Sequence, residues 1–201
     1  MHLSNPYKHY VMENKKAFYN SALKSGLIIG AVSIVVFIIM YVADIKPVGI
    51  MMPFVIMLIG LAINIGVLVY LFKSYKAQIG GYITFGDAFM YCFIALVAAT
   101  VISSLFTFLF IQFIEPNYYK NIMEAQKTYM ENYLSGKVSE EQMAQTLDKM
   151  DAEAVKMTPV SNLVKGLIGG VIFDGIIAMI VGAIMKKKPE MFDTTSTGGV
   201  I

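Results

Sequence analysis

One carboxylate lies where hydrocarbon surroundings are expected: Asp174, in the middle of the run GLIGGVIFDGIIAMIVGAIM over residues 166–185. A charged side chain facing lipid at that depth costs about 2.5–3.5 kcal/mol on insertion scales, so Asp174 should face protein or a water-filled path. A buried acid of this kind can exchange a proton or a cation, or it can hold a neighbouring helix through hydrogen bonds. The residues that surround Asp174 decide between these roles.

Other apolar runs carry hydroxyl and amide side chains that Asp174 could meet. Counted along the chain from the ends of the runs, Ser33 and Ser103 lie at the depth of Asp174, and Asn64 lies slightly deeper. Because no lysine lies at that level, we expect the Asp174 carboxyl to be mostly protonated and to form hydrogen bonds with hydroxyls or with Asn64. The candidate intramembrane polar cluster is Asp174, Asn64, Ser103, Thr100 and Ser33.

Small residues share a helical face with this acid. Steps of four from Gly166 reach Gly170, Asp174, Ala178 and Gly182, and the first apolar run has Gly26 and Gly30 at the same spacing. Such spacing allows a second helix to approach closely. The candidate helix-packing residues are Gly26, Gly30, Gly166, Gly170, Ala178 and Gly182.

Two interpretations of Asp174 follow. It could exchange protons or cations in a small transporter or channel, with Asn64, Thr100 and Ser103 as neighbours. Alternatively, it could be a polar link that holds a helix bundle together. A single acid without a buried partner charge favours the structural link, and the transporter stays as the alternative.

The composition predicts the architecture that must position these residues. Hydrophobic residues make up 57% of the chain, charged residues 15%, and the mean hydropathy is +0.63, values typical of a membrane protein. Uncharged or nearly uncharged runs cover about residues 21–43, 48–72, 88–114 and 166–185. Each is long enough for a helix to cross a bilayer, which takes roughly 20 residues. We therefore predict an all-α polytopic membrane protein with four transmembrane helices over residues 21–188.

Lysine placement predicts the orientation. Nine lysines lie on the side of both termini and seven on the other side, where residues 115–162 also carry eight acidic residues. This bias places both termini in the cytoplasm. Residues 1–20 are then a polar cytoplasmic segment, and residues 189–201, which show no periodicity, a disordered cytoplasmic tail.

Residues 115–162 form the largest polar segment and predict an extracytoplasmic two-helix hairpin. Apolar and polarisable residues recur at spacings of four and three on both sides of Gly136, and Ser139 with Gln142 forms a capping-box pattern. The two narrow stripes could pack on each other. Alternatively, residues 118–157 could bind a protein partner or a second copy of the chain, for which exposed methionines are suited.

Several function classes find no support in the sequence. The chain has no arginine, which disfavours nucleic-acid binding, and its single cysteine, Cys92, excludes an intramolecular disulfide. His2 and His9 stand alone in the polar lead-in, and no motif of a hydrolase, metalloprotease or nucleotide-binding loop occurs. We therefore expect no enzymatic activity, no cofactor and no metal site.

Three features together resemble a known family. They are the GGYITFGDAF stretch from Gly80 to Phe89, the SEEQ sequence at residues 139–142 followed by Thr158-Pro159, and a glycine-rich last span that ends in lysines. In order and spacing they are similar to the domain-of-unknown-function family 4199, over about residues 18–188. The resemblance implies a small protein with four spans in a bacterial inner membrane. It implies no activity and assigns no role to Asp174.

Overall fold

The computed structural model describes residues 15–187, which form six helices. They are α1 Lys15–Val42, α2 Met52–Gln78, α3 Phe85–Phe113, α4 Tyr118–Leu134, α5 Glu140–Val155 and α6 Pro159–Met185. Within 15–187 there is no strand, only an isolated antiparallel bridge between Ile83 and Lys187. The all-α prediction is confirmed for this part of the chain. The predictions for the tail 189–201 and for most of the segment 1–20 fall outside the described residues.

Four of the helices have the length and composition of membrane spans. They are α1, α2, α3 and α6, with 27 to 29 residues each. Helices of that size are about 40 Å long, enough to cross the hydrocarbon core and reach the headgroup zone on both sides. The prediction of four apolar spans is confirmed, although α1 and α6 begin earlier in the chain than their apolar runs.

Local signals account for the earlier start of α6 at Pro159. Thr158 caps the helix, because its side chain accepts from the Ser161 N–H while the Ser161 hydroxyl accepts from the Thr158 N–H. Pro159 occupies the first turn, where its missing N–H removes no helical bond. Helix α3 likewise begins at Phe85 because the Thr84 side chain accepts from the Asp87 N–H.

The spans are arranged around α3. Helices α1 and α6 both pack extensively along α3, whereas α2 contacts mainly α1 and touches α3 less. We use the name α4 end for the end of the bundle at which α1 and α3 finish, because α4 follows α3 there. The other end, where residues 79–84 connect α2 to α3, is the turn end.

Contacts at the turn end join three parts of the chain. The backbones of Ile83 and Lys187 exchange two hydrogen bonds of 3.1 Å. The Lys76 ammonium donates to the carbonyl oxygen of Met185 at 2.6 Å, which satisfies an open acceptor at the end of α6. The link from α2 to α3 is therefore bonded to the end of the last span.

Helices α4 and α5 occupy the segment between spans three and four. Gly136, with a φ of +71°, follows the end of α4, and the predicted Ser139–Gln142 capping box begins α5. An ion pair between Lys127 and Asp151 joins the two helices. Neither helix contains a fully buried residue, so the bundle core consists of residues from the spans and the turn end.

Candidate functional site: two intramembrane polar pairs

Asp174 faces α3 and accepts a hydrogen bond there. Its side chain is 8% exposed, and its Oδ2 atom lies 2.7 Å from the donating Thr100 Oγ1. Gly170, one turn earlier on α6, makes this contact possible. A Cβ atom at Gly170 would lie 2.7 Å from Thr100 Cγ2, so the missing side chain is what gives Thr100 room to reach Asp174.

Close contact between α6 and α3 continues toward the turn end. Ala178 is fully buried, and a Cβ atom at Gly182 would lie 3.0 Å from the backbone nitrogen of Phe89. Gly166 differs from the other members of the predicted stripe, because a Cβ atom there would meet no atom within 4 Å. Steps of four rotate by roughly 40° each on an ideal helix, so a stripe of five such positions cannot face one straight neighbour throughout.

The first span meets α3 through its own glycines. A Cβ atom at Gly26 would lie 2.5 Å from the carbonyl oxygen of Ala95, and one at Gly30 would lie 3.1 Å from Ile102 Cβ. Both glycines therefore allow the backbones of α1 and α3 to approach, the arrangement that small residues provide inside membranes.

A second polar pair joins α1 to α2. The Ser33 hydroxyl lies 3.0 Å from Asn64 Oδ1 and 3.0 Å from the carbonyl oxygen of Ile29, so one proton is shared between two acceptors. The Asn64 amide is partly buried. This pair holds the middle of α2 against α1.

The five residues of the candidate polar cluster therefore divide between two interfaces. Thr100 and Asp174 lie between α3 and α6, and Ser33 and Asn64 lie between α1 and α2. Ser103 donates to the Thr100 carbonyl oxygen at 3.3 Å, within its own helix. Among residues 15–187 no hydrogen bond connects one pair to the other.

Sequence reasoning missed a third polar contact, at the turn end. Tyr91 is completely buried, and its hydroxyl lies 2.8 Å from Ser25 Oγ and 3.1 Å from Ser21 Oγ. Its ring stacks on that of Tyr75 at 4.7 Å and meets the ring of Phe18 edge-on at 5.8 Å. The signal was available, since a tyrosine inside an apolar span needs a partner for its hydroxyl.

Sequence reasoning also missed the contacts of the α4 end. The Tyr41 hydroxyl donates to Glu115 Oε2 at 3.0 Å, and the Gly49 N–H donates to Gln126 Oε1 at 2.7 Å. Burial raises the pKa of Tyr118 and Tyr119, which lie outside the spans, so both phenols stay protonated over the physiological range. The first of these contacts joins the end of α1 to the loop before α4, and the second joins the loop between α1 and α2 to α4 itself.

The chemistry open to the described residues is limited. Within residues 15–187, no three or more His, Cys, Asp or Glu side chains are grouped so that they could hold a metal ion. Cys92 is buried in the core. The Asp174 carboxyl, with one hydroxyl partner and tight helix contacts nearby, is suited to holding α6 on α3.

Four long apolar helices with polar groups facing one another define an integral membrane protein of the multi-pass class. The chain belongs to the family described as protein of unknown function DUF4199, whose model matches residues 24–187. The resemblance based on Gly80–Phe89 and the lysine-ended last span is thus confirmed. Neither the curated proteins nor the solved structures include a match.

Proposed function

We propose that this protein is a non-enzymatic component of the bacterial inner membrane that acts by binding a protein partner or a second copy of itself. In this proposal both termini are cytoplasmic, and α4 and α5 form an extracytoplasmic hairpin that makes the contact. The polar pairs and the glycines then serve the bundle, whose task is to carry the hairpin.

The observation that carries this proposal is the exposure of α4 and α5. Each is a regular helix, and α5 begins with a complete capping box, yet none of their residues is buried. Methionines of the predicted stripes are only partly covered by the neighbouring helix; they are Met123, Met130, Met143 and Met150. Flexible, polarisable side chains of this kind suit a surface that adapts to another protein.

The attachment of the hairpin also supports the proposal. The Gly49 N–H bond to Gln126, in the middle of α4, and the Tyr41 bond to Glu115, just before α4, fix this helix to the bundle. Residues 135–137, in the turn between α4 and α5, are exposed. A partner bound there would be held at a defined place next to the membrane.

The transporter alternative has weaker support. The Asp174 carboxyl accepts a hydrogen bond from Thr100 at 2.7 Å, and Asn64 accepts one from Ser33 at the other interface. Close helix contacts lie on both sides of Asp174 along α6, at Gly170 and Gly182. Exchange with water would require these contacts to open.

Site-specific photo-crosslinking in native membranes tests the proposal. A photoreactive amino acid at Met143 or Met150 should give discrete adducts, whereas one at Asp148, on the exposed side of α5, should give few. Two differently tagged copies of the chain distinguish self-association from a different partner. Equal adducts from both faces, or none from either, would contradict the proposal.

The orientation is tested separately with a single reactive cysteine. In a Cys92→Ala background, the Ser135→Cys variant should react with a membrane-impermeant maleimide added outside intact spheroplasts. Reaction only after the membrane is opened would place the hairpin in the cytoplasm.

A further inference from the structure

A pocket of about 320 Å³ lies at the α4 end, apart from the polar pairs and from the methionine stripes. It is formed by the end of α1, the loop that follows, and the start of α4. Its polar lining residues are Tyr41, Asp44, Lys46, Glu115, Tyr118 and Asn121. Because it lies where spans end, it is at the level of the lipid headgroups.

The charges in the pocket favour a cationic ligand. Lys46 is already paired with Asp44, with 2.9 Å between Nζ and Oδ1. Glu115 has no ion-pair partner among residues 15–187 and accepts only the Tyr41 hydroxyl from a side chain. Two carboxylates and one ammonium leave the pocket with an excess of negative charge, which is located at Glu115.

The aromatic lining has the same preference. The rings of Tyr41 and Tyr118 both line the pocket, with centroids 6.5 Å apart and planes tilted by 44°. A cation within about 6 Å of such a ring is attracted by its π face, and aromatic side chains often surround bound alkylammonium groups. The Phe110 ring packs against the Tyr41 ring, with 4.9 Å between the centroids, and so holds Tyr41 in place.

We propose that this pocket binds an alkylammonium group between the Glu115 carboxylate and the rings of Tyr41 and Tyr118. Two sources share this chemistry. One is the headgroup of an ethanolamine lipid in the surrounding leaflet, and the other is a small soluble amine. A ligand that carries only hydroxyls, such as a glycerol headgroup, lacks the charge that the pocket recognises.

Binding is measured on the full chain in nanodiscs of phosphatidylglycerol, by ligand-observed NMR with glycerophosphoethanolamine, tetramethylammonium and glycerophosphoglycerol as probes. The two probes that carry an ammonium group should bind and glycerophosphoglycerol should not. Glu115→Gln, which keeps the shape and can still accept from Tyr41, should weaken cation binding about tenfold, the loss expected for one charge at short range. Glu131→Gln, on the exposed surface of α4, is the matched control and should bind as the natural chain does.

A second variant keeps the result interpretable if Glu115→Gln disturbs the α4 end. Tyr118→Leu should weaken tetramethylammonium binding several-fold, while Tyr118→Phe, which keeps the ring, should not. Equal binding of glycerophosphoethanolamine and glycerophosphoglycerol, or unchanged cation binding in Glu115→Gln, would overturn the proposal.

The source is determined by adding phosphatidylethanolamine to the nanodisc. If the lipid is the ligand, native mass spectrometry should show it retained by the natural chain and lost in Glu115→Gln, and it should compete with the soluble probes. If a soluble amine is the ligand, probe binding should be the same in both lipid compositions.

Discussion

Helices α3 and α2 have similar apolar composition but very different surroundings. Helix α3 has eight buried residues and is flanked along much of its length by α1 and α6. Helix α2 has three, Leu68, Phe72 and Tyr75, all toward the turn end. The half of α2 nearer the α4 end has no buried residue, and Asn64 near the middle of the helix accepts a hydrogen bond from Ser33.

The difference comes from where small residues meet a neighbour. Gly26, Gly30, Gly170 and Gly182 all lie against α3, where a side chain would collide with it. Gly60 and Gly66 on α2 have no atom within 4 Å of a built Cβ position. Inside a bilayer, apolar side chains gain no hydrophobic free energy from facing each other rather than lipid, so close packing at small residues selects the neighbours.

The largest expected effect tests this explanation by comparing Gly26, which lies against α3, with Gly60 on α2. Gly26→Ala should lower the free energy of unfolding by about 1–3 kcal/mol, because the new methyl group would collide with the Ala95 carbonyl. The measurement is unfolding by SDS in mixed micelles, followed by circular dichroism.

Gly60→Ala is the matched control, since both glycines lie within helical spans. Its stability should be unchanged or higher by up to about 1 kcal/mol, the gain from replacing glycine inside a helix. Equal destabilisation by the two variants would show that α2 is packed as closely as α3, and the comparison would fail.

A smaller effect is expected at the turn end, where the Tyr91 hydroxyl joins α3 to α1. Tyr91→Phe keeps the ring contacts with Phe72 and Tyr75 but removes the hydroxyl that meets Ser21 and Ser25. It should lower stability by about 1 kcal/mol, the usual value of one buried hydrogen bond.

The same substitution at an exposed tyrosine is the control for Tyr91. Tyr70 lies on α2 and is 74% exposed, so Tyr70→Phe should leave the unfolding midpoint where it is. A null result for Tyr91→Phe as well would mean that ring packing alone holds α1 against α3 at this end.

Sequence reasoning succeeded where one helix contained the whole signal. Hydropathy over some 20 residues was enough to find the four spans, and spacing along α6 placed Gly170, Ala178 and Gly182 on the face of Asp174. Capping at Ser139 was equally local, because donor and acceptor are three residues apart.

It could not decide which helices are neighbours. Depth along each span placed Asn64 and Ser103 near Asp174, but Asn64 lies at the interface of α2 with α1, and Ser103 bonds within α3. Tyr75 lies beside two lysines, Lys73 and Lys76, yet it is buried, because α1 begins at Lys15 and brings Phe18 against its ring. Such outcomes depend on the packing of separate segments, which periodicity does not encode.

The smallest expected effect is also the sharpest test of whether the polar residues form two separate pairs, one between α3 and α6 and one between α1 and α2. A double-mutant cycle of Thr100→Val with Asp174→Ala should give a coupling energy of about 0.6 kcal/mol, the average for hydrogen bonds between helices in membranes. A cycle of Thr100→Val with Ser33→Ala should give none beyond the roughly 0.3–0.5 kcal/mol within which independent sites add. Both cycles use the same unfolding measurement, and Asp174→Asn should leave the chain folded and inserted.

Cross-pair coupling as large as coupling within a pair would join Ser33 and Asn64 to Asp174 in one polar network. Such a network would provide the path for protons that two separate pairs do not, and pH-driven flux in liposomes, lost in Asp174→Asn, would then be the expected activity.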